Sequence, residues 1–240
     1  MNRQGTSDKE QVAPRKRRLL PALALAAGLS TAGPIPVRAA EVVELATKQR
    51  FTTPLVIAGK NYSLIGVGVR TQAVAKPPQQ RYAMALYVDH AGAKVQFPSL
   101  MHKAPTHAMM MAESRAQNFV IWGRYAKLAV LRMLQPVTKA ELVAMFREGL
   151  AESLSDKAPA DLRTSAEALL KLFDQDLKEG QELRLHTDDD WHIEVYLDGV
   201  KKAGPQDPKL CRHLWEMWLG SHAQKDMRST LVDRLEVLKK

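Results

Sequence analysis

The sequence predicts an α+β domain in which helices cover one face of an antiparallel sheet. Three observations lead to this prediction. Residues 41–125 are rich in short β-branched and aromatic runs that are separated by turn residues. From residue 138 onward, apolar residues recur at helical spacing, and alternating strand-like runs return at 182–199. Strands, then grouped helices, then strands again are typical of an α+β fold.

Residues 1–39 are predicted to form a cleavable secretory signal peptide. The basic run Arg15–Arg18 precedes an apolar stretch at 19–33, and small residues offer a cleavage site after Ala39. This organisation predicts one mature domain over residues 40–240 and a periplasmic or secreted location.

Two alternatives to a standard signal peptide stay open. The segment could be an uncleaved membrane anchor, although its apolar stretch is short for a span and is interrupted by Pro21 and Gly28. The pair Arg17-Arg18 could also belong to a twin-arginine export signal. If the segment is removed, no stable membrane span is expected in the mature protein.

The positive charge of the chain is concentrated in this leader. The formal net charge is +9, and residues 1–39 carry seven basic against two acidic side chains, which leaves +4 for the remainder. A nucleic-acid-binding domain needs a clustered basic face, and the mature sequence shows none. We therefore expect no nucleic-acid partner.

The first half of the mature chain contains five strand-like runs. Turn chemistry at Gly59-Lys60-Asn61 and at Pro77-Pro78 separates the first three of them. The runs cover residues 54–59, 62–70, 81–89, 94–98 and 117–126.

The second half predicts helices and one hairpin. Thr138 and Glu141 form a T-x-x-E capping box ahead of a helical apolar pattern. Asp207 followed by Pro208 is an N-cap with proline at the first helical position. The predicted elements are helices at 138–154 and about 159–177, the latter ended by Gly180, a hairpin at 182–199 that turns at 188–190, a helix from 207 to near 220, and a helical tail at 226–240.

A polar pair stands at the ends of the strand-like runs 62–70 and 81–89. If Lys76–Pro78 form the turn of a hairpin, Arg70 and Tyr82 lie opposite each other on one sheet face, with Cβ atoms about 5 Å apart. Strand alternation adds further residues to that face. They are Leu64, Gly66, Gly68, Met84, Leu86 and Val88.

This face is predicted to hold a small-molecule ligand. The two glycines leave room above the sheet, and the methionine and leucines supply an apolar floor. An apolar pocket with a few convergent polar groups is the usual geometry of a ligand site. The guanidinium fork of Arg70 suits a carboxylate, and the phenol of Tyr82 can add a hydrogen bond. The alternative is that Arg70 pairs with a nearby carboxylate of the chain while Tyr82 only packs.

The runs "LIGVGVR" at 64–70 and "YAMALYV" at 82–88 resemble the chalcone isomerase-like superfamily, in particular its exported bacterial members. Supporting matches extend through most of the mature chain. They are "FP" at 97–98, "TKAELVAMFREGL" at 138–150, "LWEMWLG" at 214–220 and "MRSTLVDRL" at 227–235. The resemblance implies an open-faced β-sandwich, in which a large antiparallel sheet carries a layer of helices over a ligand cleft.

This superfamily comprises true isomerases, which cyclise chalcones to flavanones, and noncatalytic relatives that bind fatty acids. Arg70 matches the arginine that both groups use in the cleft. Tyr82 matches a tyrosine of the fatty-acid binders, where the isomerases carry a threonine. Two further isomerase residues, a tyrosine and an asparagine, fall on Leu142 and Gly149, and neither of these can donate a side-chain hydrogen bond.

The resemblance therefore implies an exported, noncatalytic protein that binds a fatty acid or a similar amphipathic carboxylate, without a cofactor or a metal. The implied ligand-binding residues are Arg70 and Tyr82 at the carboxylate and Gly66, Gly68, Met84 and Leu86 along the chain. Two alternatives stay open. One is an isomerase or lyase acting on a small phenolic substrate, with Arg70 as its catalytic residue. The other is an accessory envelope protein without a small-molecule ligand.

Three other groups of residues were candidates for different chemistry. The single cysteine, Cys211, lies in a helical pattern and is expected to be a buried apolar residue. His186 and His192 would face each other across a hairpin centred on Asp189, which could suit zinc or copper, or could be a solvated hairpin end. Residues 101–111 hold two histidines and four methionines, which could bind a soft metal or line an apolar site.

Overall fold

The computed structural model describes residues 39–72, 78–101, 106, 108, 114–154 and 157–239. Apart from Ala39, the predicted signal peptide lies outside the described residues. So do Lys76 and Pro77 of the predicted turn and nearly all of the histidine- and methionine-rich segment at 102–113.

The described strands form a two-stranded ribbon and a seven-stranded sheet. All neighbouring strands are antiparallel, and the seven strands of the sheet follow each other in sequence order. The ribbon consists of β1 (Ala40–Val43) and β2 (Arg50–Thr53). The sheet consists of β3 (Leu55–Ile57), β4 (Lys60–Gln72), β5 (Gln79–Asp89), β6 (Lys127–Met133), β7 (Glu182–Thr187), β8 (His192–Leu197) and β9 (Val200–Gln206).

The described part of the chain also contains six α-helices and one short 3-10 helix. They are α1 (His90–Met101), α2 (Arg115–Trp122), α3 (Lys139–Ser153), α4 (Ala160–Leu170), α5 (Pro208–Leu219), α6 (Lys225–Thr230) and the 3-10 helix Leu235–Lys239. We call residues 224–239 the C-terminal segment. The predicted α+β class, with one large antiparallel sheet and a layer of helices, is confirmed.

The main core lies between the helices and one face of the sheet. Met84 and Leu86 of β5 are 0% exposed there and belong to one cluster with Phe146 of α3 and Trp215 of α5. The β1–β2 ribbon covers part of the opposite face, where Phe51 packs in a second cluster. Because β5 is buried on both faces, its sequence reads as a continuous apolar run rather than as an alternating one.

Both predicted helix N-caps, at Thr138 and Asp207, are confirmed. The Thr138 hydroxyl accepts from the Glu141 backbone N–H at 3.2 Å, and the Glu141 carboxylate accepts from the Thr138 N–H at 2.8 Å. The Asp207 carboxylate accepts from the N–H groups of Lys209 and Leu210. The predicted helical tail is confirmed in part, since a turn separates α6 from the 3-10 helix.

Two predicted strands, at 94–98 and 117–126, are helical in the structure. The first lies within α1, and most of the second lies within α2, which ends at Trp122. In α2 the buried residues Ala116, Val120 and Ile121 recur at helical spacing and face the core. Packing of that face outweighed the β-branched and aromatic composition on which the prediction rested.

The strand after β5 in the sheet is β6, and the sequence reading missed it. It carries two cations, Lys127 and Arg132, among apolar residues. In the structure the Lys127 ammonium lies over the Tyr125 ring, 5.1 Å from its centroid, and the Arg132 guanidinium lies 5.2 Å from that of Phe51. The Lys127 ammonium also donates to the Gly123 carbonyl at 2.7 Å, and Arg132 pairs with Glu182 at 2.6 Å, so polar partners and aromatic faces together hold both cations beside a buried strand.

The predicted second helix is shorter than expected. It ends at Leu170 rather than near 177, because Leu177 pairs as a β-bridge with Val137. Gly180, with a φ of 81°, then lies in the turn before β7 rather than at the helix end.

The hairpin of β7 and β8 is confirmed, but its predicted register is wrong. His186 pairs with Glu194 rather than with His192, so the hairpin is centred one residue later, on Asp190, and Trp191 in its turn adopts a φ of 68°. His192 instead contacts Asp188. The two histidines therefore do not face each other across the hairpin.

No helix among the described residues combines the length and the apolar character needed to cross a bilayer.

Candidate functional site

The predicted pairing of Arg70 with Tyr82 is confirmed. The two residues are cross-strand partners in the β4–β5 ladder, as are Gly68 with Met84 and Gly66 with Leu86. The side-chain period of two placed these residues correctly because the register between positions 66 and 70 is regular.

A β-bulge breaks that register beyond Gly66. Leu64 pairs with Tyr87 rather than with Val88, so its side chain lies on the ribbon side of the sheet. Ile65 takes the place on the helix side that was predicted for Leu64. The Ile65 carbonyl accepts a hydrogen bond from the Arg234 N–H at 2.9 Å, so the bulge lies where the C-terminal segment meets β4.

Gly66 and Gly68 do not leave open space above the sheet. A Cβ atom on Gly66 would lie 2.1 Å from the carbonyl carbon of Leu231, and one on Gly68 would lie 2.8 Å from Oγ1 of Thr230. The expected room is filled by the C-terminal segment, by its backbone above Gly66 and by the Thr230 and Met227 side chains above Gly68. The immediate reason for glycine at Gly66 is this close approach of two backbones.

Tyr82 is buried beneath the helices, with 3% of its surface exposed. Its hydroxyl oxygen accepts a hydrogen bond from Nε1–H of Trp218 on α5 at 2.9 Å. Burial raises the pKa of Tyr82, while the hydrogen bond from Trp218 and the nearby charge of Arg70 oppose that rise. The phenol therefore keeps its proton at neutral pH and can act as a donor.

Arg70 lies half-buried at the edge of this region. As the cross-strand partner of Tyr82 it leaves the same face of the sheet, and its positive charge opposes the rise in the pKa of Tyr82. Among the described residues we find no hydrogen bond or ion pair that engages Arg70, and none that accepts the Tyr82 hydroxyl proton. The predicted alternative, in which a carboxylate of the chain pairs with Arg70, has no support within the described ranges.

Methionine side chains surround the pair. Met133 of β6 is the cross-strand partner of Tyr82, Met84 lies two residues along β5, and Met227 of α6 lies over Gly68. All three are buried. Methionine is flexible and polarizable, so such a lining can repack around an apolar guest.

A cavity of about 390 Å³ opens away from this pair, between α2, α3, α5 and α6. Its polar lining includes the carboxylates of Glu152 and Glu216 and the guanidinium of Arg228. Arg228 already donates to the Leu219 carbonyl and to the Ser114 hydroxyl. Two carboxylates beside an engaged arginine make this cavity a poor receptor for an anion.

The isomerase positions identified from the sequence lie on α3. Leu142 is fully buried in the main core, and Gly149 faces Met217 of α5, whose Cε would lie 2.7 Å from an added Cβ. Neither position presents a polar side chain to Tyr82. Within the described ranges, no cluster of three or more histidine, cysteine or acidic residues could hold a metal ion.

Cys211 is buried, as predicted, at 0% exposure. Burial raises the pKa of its thiol to about 12, and its Sγ donates to the Trp191 carbonyl at 3.3 Å. A thiol in this state is a structural group rather than a nucleophile.

Sequence reasoning missed two parts of the site, Trp218 and the Thr230–Leu231 backbone. The run "LWEMWLG" shows an amphipathic helix but not which tryptophan would reach Tyr82, 136 residues away. The glycines at 66 and 68 were the available signal for a close backbone approach, and they were interpreted as ligand space.

Comparison with known proteins agrees with this architecture. A family model described as chalcone isomerase-like matches residues 44–232. A solved structure of a fatty-acid binding protein from Arabidopsis thaliana is similar, with a TM-score of 0.67 and 18% identity. The alignment covers 83% of this chain and 98% of that one, and at this identity the likeness concerns the fold. No curated protein matches the chain by sequence.

Proposed function

Because the chain belongs to the chalcone isomerase-like family, we propose that it is a noncatalytic binding protein for a fatty acid or a similar amphipathic carboxylate. The observation that carries this proposal is the Arg70–Tyr82 pair. Tyr82 in the main core and the half-buried Arg70 are cross-strand partners, both are side-chain donors, and no described residue accepts from either. A carboxylate can accept from both donors at once and matches the charge of the guanidinium.

The alkyl chain would lie against the helix side of β4 and β5. There it would contact Met84 and Leu86, and it would run beside Gly66 and Gly68 in place of part of the C-terminal segment. Hydrogen bonds join this segment to β4, from the Arg234 N–H to the Ile65 carbonyl and from the Thr71 N–H to the Gln224 side chain. Most of the affinity would come from burial of the chain, at about 0.8 kcal/mol per methylene.

The direct test is a calorimetric titration of delipidated protein with dodecanoate. Arg70→Ala is expected to weaken binding by about 10- to 150-fold, because a charge-assisted hydrogen bond contributes roughly 1.5–3 kcal/mol. Tyr82→Phe removes only one neutral donor and is expected to cost about tenfold or less.

Arg147→Ala provides a matched control for this titration. Arg147 pairs with Glu167 on the exposed surface of α3 and α4, away from Tyr82, so its loss should leave dodecanoate affinity unchanged. Equal affinities for wild type and Arg70→Ala would remove Arg70 from the site. A wild-type protein that binds no dodecanoate would refute the proposed ligand class.

The closed packing around Tyr82 favours a second candidate, an accessory envelope protein without a small-molecule ligand. Trp218, the C-terminal segment and Phe146 of α3, which lies edge-on to Trp218, fill the predicted cleft in this structure. The same titration separates the candidates, since this one predicts no binding. Cyclisation of a chalcone that is lost in Arg70→Ala would instead support the isomerase alternative.

We also propose that the protein is exported after cleavage following Ala39. The support is the basic and apolar pattern of the leader together with the position of β1, which begins at Ala40. N-terminal sequencing of protein recovered from the periplasm or the medium should give Ala-Glu-Val-Val. An unprocessed chain found only in the membrane fraction would favour the anchor alternative.

A further inference from the structure

Trp218 fixes which hydrogen-bonding role the Tyr82 hydroxyl can play. The indole Nε1–H is a donor only, and it donates to the Tyr82 oxygen at 2.9 Å. The phenol oxygen is therefore the acceptor in this bond. Its own hydrogen has to point away from the indole.

The indole cannot easily turn away, because aromatic neighbours hold it. Phe146 lies edge-on to Trp218, with ring centroids 6.1 Å apart, and Phe146 in turn stacks on Phe173 at 4.4 Å. Trp215 lies on another side at 6.0 Å and is itself fixed by its hydrogen bond to the Thr187 hydroxyl. Trp218 is 3% exposed, so its rotamer is set by this packing.

The cross-strand partner of Tyr82, Arg70, is also a donor. Its guanidinium has no acceptor atom, so it cannot receive the hydroxyl hydrogen. Since Trp218 and Arg70 are both donors only, the phenol can donate only to an atom from outside this trio. A buried donor without a partner costs about 1–3 kcal/mol, so a group that accepts from it is favoured.

We propose that Trp218 is a positioning residue that makes the site selective for an ionised carboxylate over a neutral amphiphile. This inference rests on the proposed function and adds the reason for head-group selectivity. A carboxylate accepts from Arg70 and from Tyr82 and donates nothing. A fatty alcohol brings a hydroxyl hydrogen that finds no acceptor at the site, and a methyl ester brings no charge for the guanidinium.

The test compares two ligands of equal chain length in two proteins. Wild type is expected to bind dodecanoate about 10- to 150-fold more tightly than 1-dodecanol, the ratio set by one charge-assisted hydrogen bond. In Trp218→Phe the phenol is free to rotate and can accept from the alcohol, so the ratio is expected to fall by about fivefold or more, the equivalent of one neutral hydrogen bond.

Trp122→Phe is the control. It changes an indole of α2 that is 56% exposed and packs on the Arg212 guanidinium rather than on Tyr82 or Trp218, so it should leave the ratio unchanged. If Trp218 had only a structural role, Trp218→Phe would lower the affinities for dodecanoate and for 1-dodecanol equally. The ratio of the two affinities would then keep its wild-type value, and this result would overturn the inference. If wild type does not bind dodecanoate, the proposed function is refuted together with this inference. If wild type binds dodecanoate and only the Trp218→Phe ratio fails to fall, the proposed function stands and this inference alone is refuted.

A measurement on the wild type keeps the inference testable if Trp218→Phe does not fold. Hydrogen exchange of the Trp218 indole N–H, followed by NMR, is expected to stay slow when dodecanoate binds, because the bond to Tyr82 persists in the complex. Loss of that protection on binding would show that Trp218 releases Tyr82, and would overturn the proposed role.

Discussion

Gly66→Ala is expected to lower the free energy of unfolding by about 3 kcal/mol, at the upper end of the cost of overpacking a core. The added Cβ would lie 2.1 Å from the carbonyl carbon of Leu231 and 2.3 Å from the Thr230 carbonyl oxygen. Both are backbone atoms, so no side-chain rotation relieves the contact. For a domain of this size, the loss corresponds to a fall in Tm of about 6–12 °C.

In Gly66→Ala the C-terminal segment should be displaced from β4. Thermal unfolding followed by circular dichroism measures the loss, and limited trypsin digestion detects release of the segment at Lys225, Arg228 and Arg234. Earlier cleavage at these sites in Gly66→Ala than in wild type is the expected result.

Gly149→Ala is the control for this substitution. Its Cβ would meet the terminal Cε of Met217 at 2.7 Å, and a flexible side chain can move aside. Alanine also stabilises a helix interior by roughly 1 kcal/mol relative to glycine. This variant should therefore be at least as stable as wild type. An unchanged Tm for Gly66→Ala would contradict the close approach of the C-terminal segment to β4.

Lys127→Met is expected to remove a pH dependence of stability that wild type shows in the alkaline range. Lys127 is 1% exposed, and its ammonium donates to the Gly123 carbonyl at 2.7 Å. The Tyr125 and Trp191 rings lie 5.1 and 5.7 Å away, and in the described part of the chain no carboxylate pairs with it. Burial lowers the pKa of Lys127 from 10.5 to about 8.

The direction of the effect follows from where the proton is bound. Between pH 8 and 10.5 the unfolded chain keeps the Lys127 proton while the folded protein has lost it, so this residue makes stability rise with pH. The slope is about 1.4 kcal/mol per pH unit within that window. Below pH 8 both states are protonated, and the cost of burying the charge, about 3 kcal/mol, is present in full.

The measurement is the difference in unfolding free energy between Lys127→Met and wild type, from urea titrations at pH 7.5 and 9.5. The free energy of unfolding of Lys127→Met minus that of wild type is expected to fall by about 2 kcal/mol between pH 7.5 and pH 9.5. Taking the difference cancels the buried phenols and Cys211, since both proteins contain them. Lys209→Met changes an exposed lysine of α5, so its difference from wild type should vary by less than about 0.5 kcal/mol. A difference for Lys127→Met that is constant with pH would contradict the lowered pKa.

The parts of the fold that sequence predicted correctly depend on short-range chemistry. The capping box at Thr138 and the N-cap at Asp207 involve residues within one helical turn. The Arg70–Tyr82 pairing follows from strand alternation on either side of one turn. In each case the partners are close in the chain, so spacing alone constrains their geometry.

The parts that were predicted wrongly depend on packing between distant segments. Residues 94–98 and 117–126 have strand-like composition, yet they are largely helical because one face of each segment packs on the core. The bulge at Ile65 displaced Leu64 from its predicted face, and it lies where Arg234 bonds to the strand from 169 positions away. β6 was not predicted, and only the folded structure brings the Gly123 carbonyl and the Tyr125 ring to the ammonium of its buried Lys127.

By itself the sequence determined the α+β class, the helix starts and the juxtaposition of Arg70 with Tyr82, because these follow from periodicity and local hydrogen bonding. Only the tertiary structure decided what surrounds that pair. Trp218 reaches Tyr82 across 136 residues, and the C-terminal segment covers the glycines of β4, with its backbone at Gly66 and with side chains at Gly68. Contacts between residues so far apart in the chain depend on how whole helices and strands pack against one another. They therefore produce no repeating residue pattern from which they could be predicted.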